Sequence, residues 1–156
     1  MEYAKCLARL QRLCSRAEYC SGDIFRKALK DLEGDAEAAA RVVAELKQDR
    51  YVDDARYAAA FAREKASLQG WGPVKIRFQL RGKGISEADI SAALSDIDTR
   101  KADARLEKLL LEKQRSLEGD PQARLKLIKF ALSRGYDYEK IATFVARMAG
   151  RSVAEP

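Results

Sequence analysis

The chain contains no histidine. That absence removes the commonest general base and every Ser-His or Cys-His nucleophile pair, so catalysis is not expected. Zinc chemistry lacks ligands as well: Cys6, Cys14 and Cys20 are odd in number, have no C-x-x-C spacing and would need carboxylates to complete a site. Packing is the simpler reading of these thiols, because Cys6 falls on the apolar stripe of Leu10, Leu13 and Ala17, where a reduced thiol serves as a small hydrophobe. No apolar run approaches the roughly 18 residues that span a bilayer. The charged stretch from Met1 to Gln11 also lacks the hydrophobic block of a signal peptide. The expectation is a cytoplasmic protein with no enzyme activity, cofactor, metal or membrane partner.

What the chain has in abundance is repetition. The segment from Gly72-Pro73 through Ile76, Leu80 and Lys83-Gly84, followed by Ile85 to Leu94, reads as a short helix, a glycine and a second short helix. Fifty-one residues on, Lys75, Ile76, Leu80, Lys83, Gly84, Ile90 and Leu94 return as Lys126, Leu127, Ala131, Arg134, Gly135, Ile141 and Val145. Asp120-Pro121 opens the later copy as Gly72-Pro73 opens the earlier one. A fainter copy runs from Ser21 through Ile24, Ala28 and Gly34 into the alanine-rich stretch from Ala36 to Leu46. This period divides the 156 residues into modules 1–50, 51–98 and 99–150 and a C-terminal tail, 151–156. With 35% charged and 47% apolar residues the chain is foldable, although each module alone is small. The expected fold is all-α, with three tandem three-helix repeats forming an elongated, curved, monomeric body. Units stacked in this way build an extended surface for a large partner rather than a pocket for a small substrate.

Period, caps and breakers place nine helices and no strand. The first three run over about Tyr3 to Tyr19, Gly22 to Leu32 with Ser21 as cap, and Ala36 to Asp49 with Asp35 as cap. The fourth, about Asp54 to Leu68, begins at Asp53 and presents Tyr57, Ala58, Phe61, Ala62, Lys65 and Leu68 as its buried face. Pro73 suits the first position of the fifth, where its missing N–H would be unpaired anyway. Gly84 and Gly135 suit the left-handed residue past a helix end, so valine at either position is expected to cost about 1 to 3 kcal/mol. Ser86 with Asp89 reads as a capping box for the sixth. The seventh, about Arg100 to Leu117, buries Ala102, Leu106, Leu109, Leu110 and Leu117; Pro121 to Arg134 and Tyr138 to Ala149 complete the set. Adjacent Asp53 and Asp54 point in different directions, so they read as acids at a helix start rather than as a metal pair. Trp71 has two open readings, an interface anchor or a plug over an inter-helix core.

The net charge is +6, and its distribution says more than its sum. Between Glu64 and Glu87 there is no acid, while Lys65, Lys75, Arg77, Arg81 and Lys83 are positive. Between Asp120 and Asp137 there is again none, while Arg124, Lys126, Lys129 and Arg134 are positive. Both runs fall on the middle helix of a module. In the later one Lys126, Lys129, Phe130 and Ser133 are expected on the face opposite Leu127, Ile128, Ala131 and Leu132. Two corresponding helices stripped of acid point to a phosphate backbone or an acidic protein groove. Lys75, Arg77, Arg81, Lys83, Arg124, Lys126, Lys129 and Arg134 are the candidate binding residues.

The run Tyr51-Val52-Asp53-Asp54-Ala55-Arg56-Tyr57-Ala58, then Gly70-Trp71-Gly72-Pro73, Ile76, Leu80 and Lys83-Gly84-Ile85, resembles the signature of the RecX family, regulators of the bacterial RecA recombinase. The resemblance extends from Lys5 to Ala149, with departures at Gly82 inside a helix and at Ala38, Ala39 and Ala40 in place of larger apolar residues. It implies three tandem three-helix repeats and a non-enzymatic modulator that lies along the groove of the RecA–DNA filament. Such a modulator hinders filament growth and strand exchange and lowers ATP hydrolysis and co-protease activity. The implied partners are the RecA filament and, weakly and without sequence preference, single- and double-stranded DNA. Two alternatives stay open at this point: a DNA-binding protein that acts only by competing for DNA, and a scaffold for an unrelated acidic protein. Whatever the partner, the circular-dichroism spectrum is expected to be dominated by helix, and substantial sheet content would overturn the repeat reading.

Overall fold

The computed structural model describes the backbone of residues 1–154 and the side chains through Ala149. Among the described residues there are nine helices and no strand: α1 (Tyr3–Arg16), α2 (Ser21–Asp31), α3 (Ala36–Gln48), α4 (Asp54–Leu68), α5 (Pro73–Gly82), α6 (Glu87–Ser95), α7 (Thr99–Ser116), α8 (Ala123–Ser133) and α9 (Tyr138–Ala154). The chain sorts into two compact units, Met1–Phe61 with Leu80–Ala93, and Ala62–Gln79 with Leu94–Pro156. Helices α1–α3 lie in the first and α7–α9 in the second, while α4, α5 and α6 each contribute residues to both. Gly82 is the last residue of α5 rather than an interior one, and α9 runs past the expected end at Ala149.

In the first unit α2 packs against α1 and α3. Residues four apart on each helix, Cys6 and Leu10, Ile24 and Ala28, Val42 and Leu46, meet around Ala39 and Val52, all of them buried. A leucine such as Leu10 buried to this extent contributes about 1.5 to 3 kcal/mol. Cys6 and Cys20 are fully covered, and burial pushes the thiols of Cys6, Cys14 and Cys20 up, so they pack as thiols. Ala17 does not continue the stripe, because α1 stops at Arg16 and Ala17 is exposed in extended geometry. In the second unit α8 packs on α7 and α9, burying Leu106, Leu110, Leu117, Leu127, Ala131, Tyr136, Ile141 and Phe144; Leu109 is only partly covered.

Two expected faces differ in part. On α4 the buried ridge is Ala58 and Ala62, as expected, continued by Ala66 in place of Lys65 and Leu68. Tyr57 and Phe61 flank that ridge half-buried, with ring centroids 5.9 Å apart, and Leu68 is 78% exposed. Small side chains form the ridge because they allow closer backbone approach than aromatic rings do. On α8 Leu132 is 44% exposed, so the covered face is Leu127 and Ala131 with Ile128 at its edge.

Carboxylates start most helices. Asp35, Asp53, Asp98 and Asp137 accept from N–H groups in the first turns of α3, α4, α7 and α9, and Ser86 accepts from the Asp89 N–H of α6. Helix α2 differs. Ser21 is its first residue rather than its cap, and Asp54 of α4 accepts both the Ser21 N–H at 2.7 Å and the Ser21 hydroxyl at 2.5 Å. The Asp53-Asp54 pair thus starts two different helices.

The ends of the middle helices are where backbone geometry is most demanding. Gly84 and Gly135 have φ of 81° and 92°, the left-handed region expected past α5 and α8. Gly84 is otherwise open, with no atom within 4 Å of where a Cβ would stand. Gly135 is not: a Cβ there would lie 2.2 Å from the Lys75 Cβ and 2.7 Å from the Lys75 nitrogen. The start of α5 is seated on the end of α8, with the Gly72 N–H donating to the Arg134 carbonyl at 2.7 Å and the Val74 N–H to the Gly135 carbonyl at 2.9 Å. In the first unit the start of α2 also comes close to the end of α5, a Cβ on Gly22 standing 3.0 Å from the Lys83 carbonyl oxygen.

The two glycines are therefore unequal, contrary to their like expectation. Gly84→Val should cost about 1 to 3 kcal/mol from the left-handed backbone alone. Gly135→Val should cost more, because the same strain adds to overlap with backbone that cannot yield. Denaturant melts of both variants check this, and equal losses would mean that the α5–α8 junction is slack.

Candidate functional site

The eight candidate cations fall into different surroundings. Lys75 is half-buried, with its stem against Gly135 and its Nζ 4.4 Å from the centroid of the Trp71 ring. Arg134, also half-buried, lies 5.4 Å from the Phe130 ring. Arg81 is exposed and paired with Glu87, whose hydrogen bond raises the guanidinium pKa. Lys126 donates to Asp120 at 2.5 Å, which holds that carboxyl below its ordinary range. Lys83 reaches Asp23 at 3.2 Å and lies 6.0 Å from the Tyr57 ring. Arg77 is half-buried, whereas Arg124 and Lys129 are exposed on α8. Lys75, Arg77, Arg124, Lys126, Lys129 and Arg134 belong to the second unit, and Arg81 and Lys83 to the first.

Acid-free in sequence is thus not acid-free in space. Glu87 closes one run and Asp120 opens the other, each a single turn beyond the helix, and both fold back onto it. Asp23, sixty residues from Lys83, could not have been paired with it by spacing. Burial alone would raise the Asp23 carboxyl, but hydrogen bonds from Cys20, Lys83 and Arg26 outweigh it and hold the group low. Burial likewise pulls Lys83 down, and the bond to Asp23 with the charges nearby leaves it raised.

Trp71 packs within the second unit, as the plug reading has it. It is half-buried and lines a cavity of about 110 Å³ with Ala66, Leu94, Ile97, Ala102 and Tyr136, yet Lys65 and Lys75 both stand over its ring, at 5.0 and 4.4 Å. Phe130, expected on the basic face, is half-buried between Lys113 at 5.1 Å and Arg134. Lys65 and Lys113 were not candidate site residues. Lys113 belongs to α7, and only packing brings it to α8. No cluster of three or more carboxylate and cysteine groups that could hold a metal occurs among the described residues, and no helix there is long and apolar enough to cross a membrane.

The family model described as RecX, second three-helix domain, matches residues 53–94. A Regulatory protein RecX of Haemophilus ducreyi is 32% identical over 126 residues, covering 80% of each chain. One from Oceanobacillus iheyensis is 30% identical over 122 residues, which is 77% of this chain and 45% of that one, so the chain spans less than half of this relative's length. Among solved structures, a crystal structure of regulatory protein RecX superposes with a TM-score of 0.82 at 26% identity, over 91% of this chain and 70% of the other.

The split between paired and exposed cations has a thermodynamic signature. Asp23 is depressed, so its contribution is present above the ordinary carboxylate pKa of about 3.9 and is lost as pH falls through its lower folded value. Lys83→Gln should then lower stability at neutral pH by up to about 1 kcal/mol. The difference from wild type should vanish in acid. Arg124→Gln and Lys129→Gln should leave the melt unchanged throughout, and an equal loss in all three variants would erase the distinction.

Proposed function

The chain belongs to the RecX family, and from that premise we propose that it is a non-enzymatic regulator, mainly an inhibitor, of the RecA recombinase. It acts by lying along the groove of the RecA–DNA filament, where it limits filament growth, strand exchange, ATP hydrolysis and co-protease activity. The observation that carries this reading is the pair of acid-free helices α5 and α8 at corresponding places in successive repeats. A helical filament presents the same surface at intervals, and repeated weak contacts on one chain add through effective concentration. Arg124 and Lys129, both exposed on α8, are the cations best placed to meet the filament, since Arg81, Lys83 and Lys126 are held by the chain's own acids and Lys75 and Arg134 lie over its own rings.

Charge reversal tests it. Arg124→Glu combined with Lys129→Glu should abolish inhibition of strand exchange while leaving the helical spectrum and melting temperature nearly intact, because exposed charges contribute little to folding. A reversed protein that still inhibits as wild type does at physiological salt would make the basic face of α8 a solvated one. Co-sedimentation separates the mechanisms: a filament regulator prefers preassembled RecA filaments, whereas a competitor for DNA binds naked single strands as tightly. Steep loss of binding with salt marks phosphate contacts, and shallow loss marks screened pairs with protein carboxylates.

A further inference from the structure

Exposed apolar side chains gather where the acids are missing. Among the described residues the most exposed large apolar side chains are Met1, Leu68, Val74, Phe78, Leu125, Leu132 and Tyr138. Four of them lie on the two acid-free helices, Val74 and Phe78 on α5 and Leu125 and Leu132 on α8. Val74 and Leu125 stand two residues before the buried Ile76 and Leu127, at the same place in the repeat, and are 52% and 51% exposed. The middle helix of the first module shows the reverse on both counts. Helix α2 carries Asp23 and Asp31, and its Phe25 and Leu29 are packed against the core.

On α5, Val74 and Phe78 are four apart and share one face, with Phe78 73% exposed and Lys75 and Arg77 in the same turn. An exposed ring on a helix whose charges are all positive, Lys75 keeping its charge over the neutral Trp71 ring, is complementary to an apolar recess bordered by negative charge. A nucleic acid would ask for aromatic faces on which bases stack. Here three of the four exposed side chains are aliphatic, and Trp71 and Phe130 have the chain's own lysines and arginine over their rings.

We propose that the Val74–Phe78 face of α5 is a docking surface for a protein partner, seating its two side chains in an apolar recess rimmed by carboxylates. The inference rests on the regulatory reading above only for the identity of that partner, the protein component of the RecA filament. Binding of a fluorescent version of this chain to preassembled RecA filaments and to a naked oligothymidylate tests it. The double variant Val74→Ala with Phe78→Ala should bind filaments about tenfold more weakly or worse, as expected for an aromatic anchor. Its affinity for the oligothymidylate should stay within about twofold of wild type, and its melt should not move, both positions being exposed.

Phe78→Lys gives a second arm that does not depend on the first. The corresponding place on α8 is occupied by Lys129, so lysine fits the fold, and the variant adds a cation while removing the ring. Weaker filament binding with equal or tighter oligothymidylate binding supports the proposal. Tighter binding to both would overturn it in favour of charge alone, and parallel loss on both would overturn it in favour of base stacking. A wild-type chain that does not prefer filaments refutes the regulatory reading. A wild type that does, with variants that bind equally well, refutes only the docking surface.

Discussion

Two helix ends meet head to tail in the second unit, and the residues around that meeting follow from it. A helix leaves N–H groups unpaired at its start and carbonyls unpaired at its end. At the junction the Gly72 and Val74 N–H groups of α5 take the Arg134 and Gly135 carbonyls of α8, so each end satisfies the other, and the opposed dipole ends attract. The run Gly70-Trp71-Gly72-Pro73 is legible residue by residue in these terms. The Gly70 carbonyl accepts the Tyr136 hydroxyl at 3.0 Å, and the Trp71 N–H closes the end of α4 on the Lys65 carbonyl at 3.0 Å. Gly72 has no room for a side chain, a Cβ there falling 2.4 Å from the Gly135 carbonyl oxygen. Pro73 supplies no N–H at the one place between the two donors where none is required.

The cation before each left-handed glycine belongs to this junction as much as to the surface. Lys83 precedes Gly84 and Arg134 precedes Gly135, and both contribute a carbonyl beside the start of the preceding middle helix. Their side chains then turn inward, Lys83 to Asp23 and Arg134 to Phe130. A basic run on a middle helix is therefore composite. Its last member turns inward at the helix end, whereas Arg124 and Lys129 earlier on α8 stay exposed.

The period and the caps were legible because they depend on neighbours in sequence. Asp35, Asp53 and Ser86 bond to N–H groups three residues on, a distance that the chain itself fixes. Faces were less legible. On α4 the expected face held the buried Ala58 and Ala62 together with Tyr57 and Phe61, and the pattern of apolar letters does not distinguish the alanine ridge from the half-buried rings beside it. Ser21 failed as a cap because a carboxylate from another helix, Asp54, serves α2 better than a hydroxyl in the adjoining position. The candidate site was legible as two acid-free helices and illegible in its charge balance, since Lys83 with Asp23 and Lys113 with Phe130 are made by folding alone.

Joining α5 to α8 through backbone, rather than through side chains on a flexible connection, has a consequence for binding. Two contact points on one chain reinforce each other only when the second forms without a fresh cost of ordering. Gly135 against Lys75 leaves no slack of even a methyl group, so the outward faces of α5 and α8 keep a fixed separation before any partner arrives. A partner whose own repeat matches that separation gains the second contact almost free, and one that does not match is refused it. The junction glycines therefore fix the separation of the α8 face from the Val74–Phe78 face of α5 within the second unit.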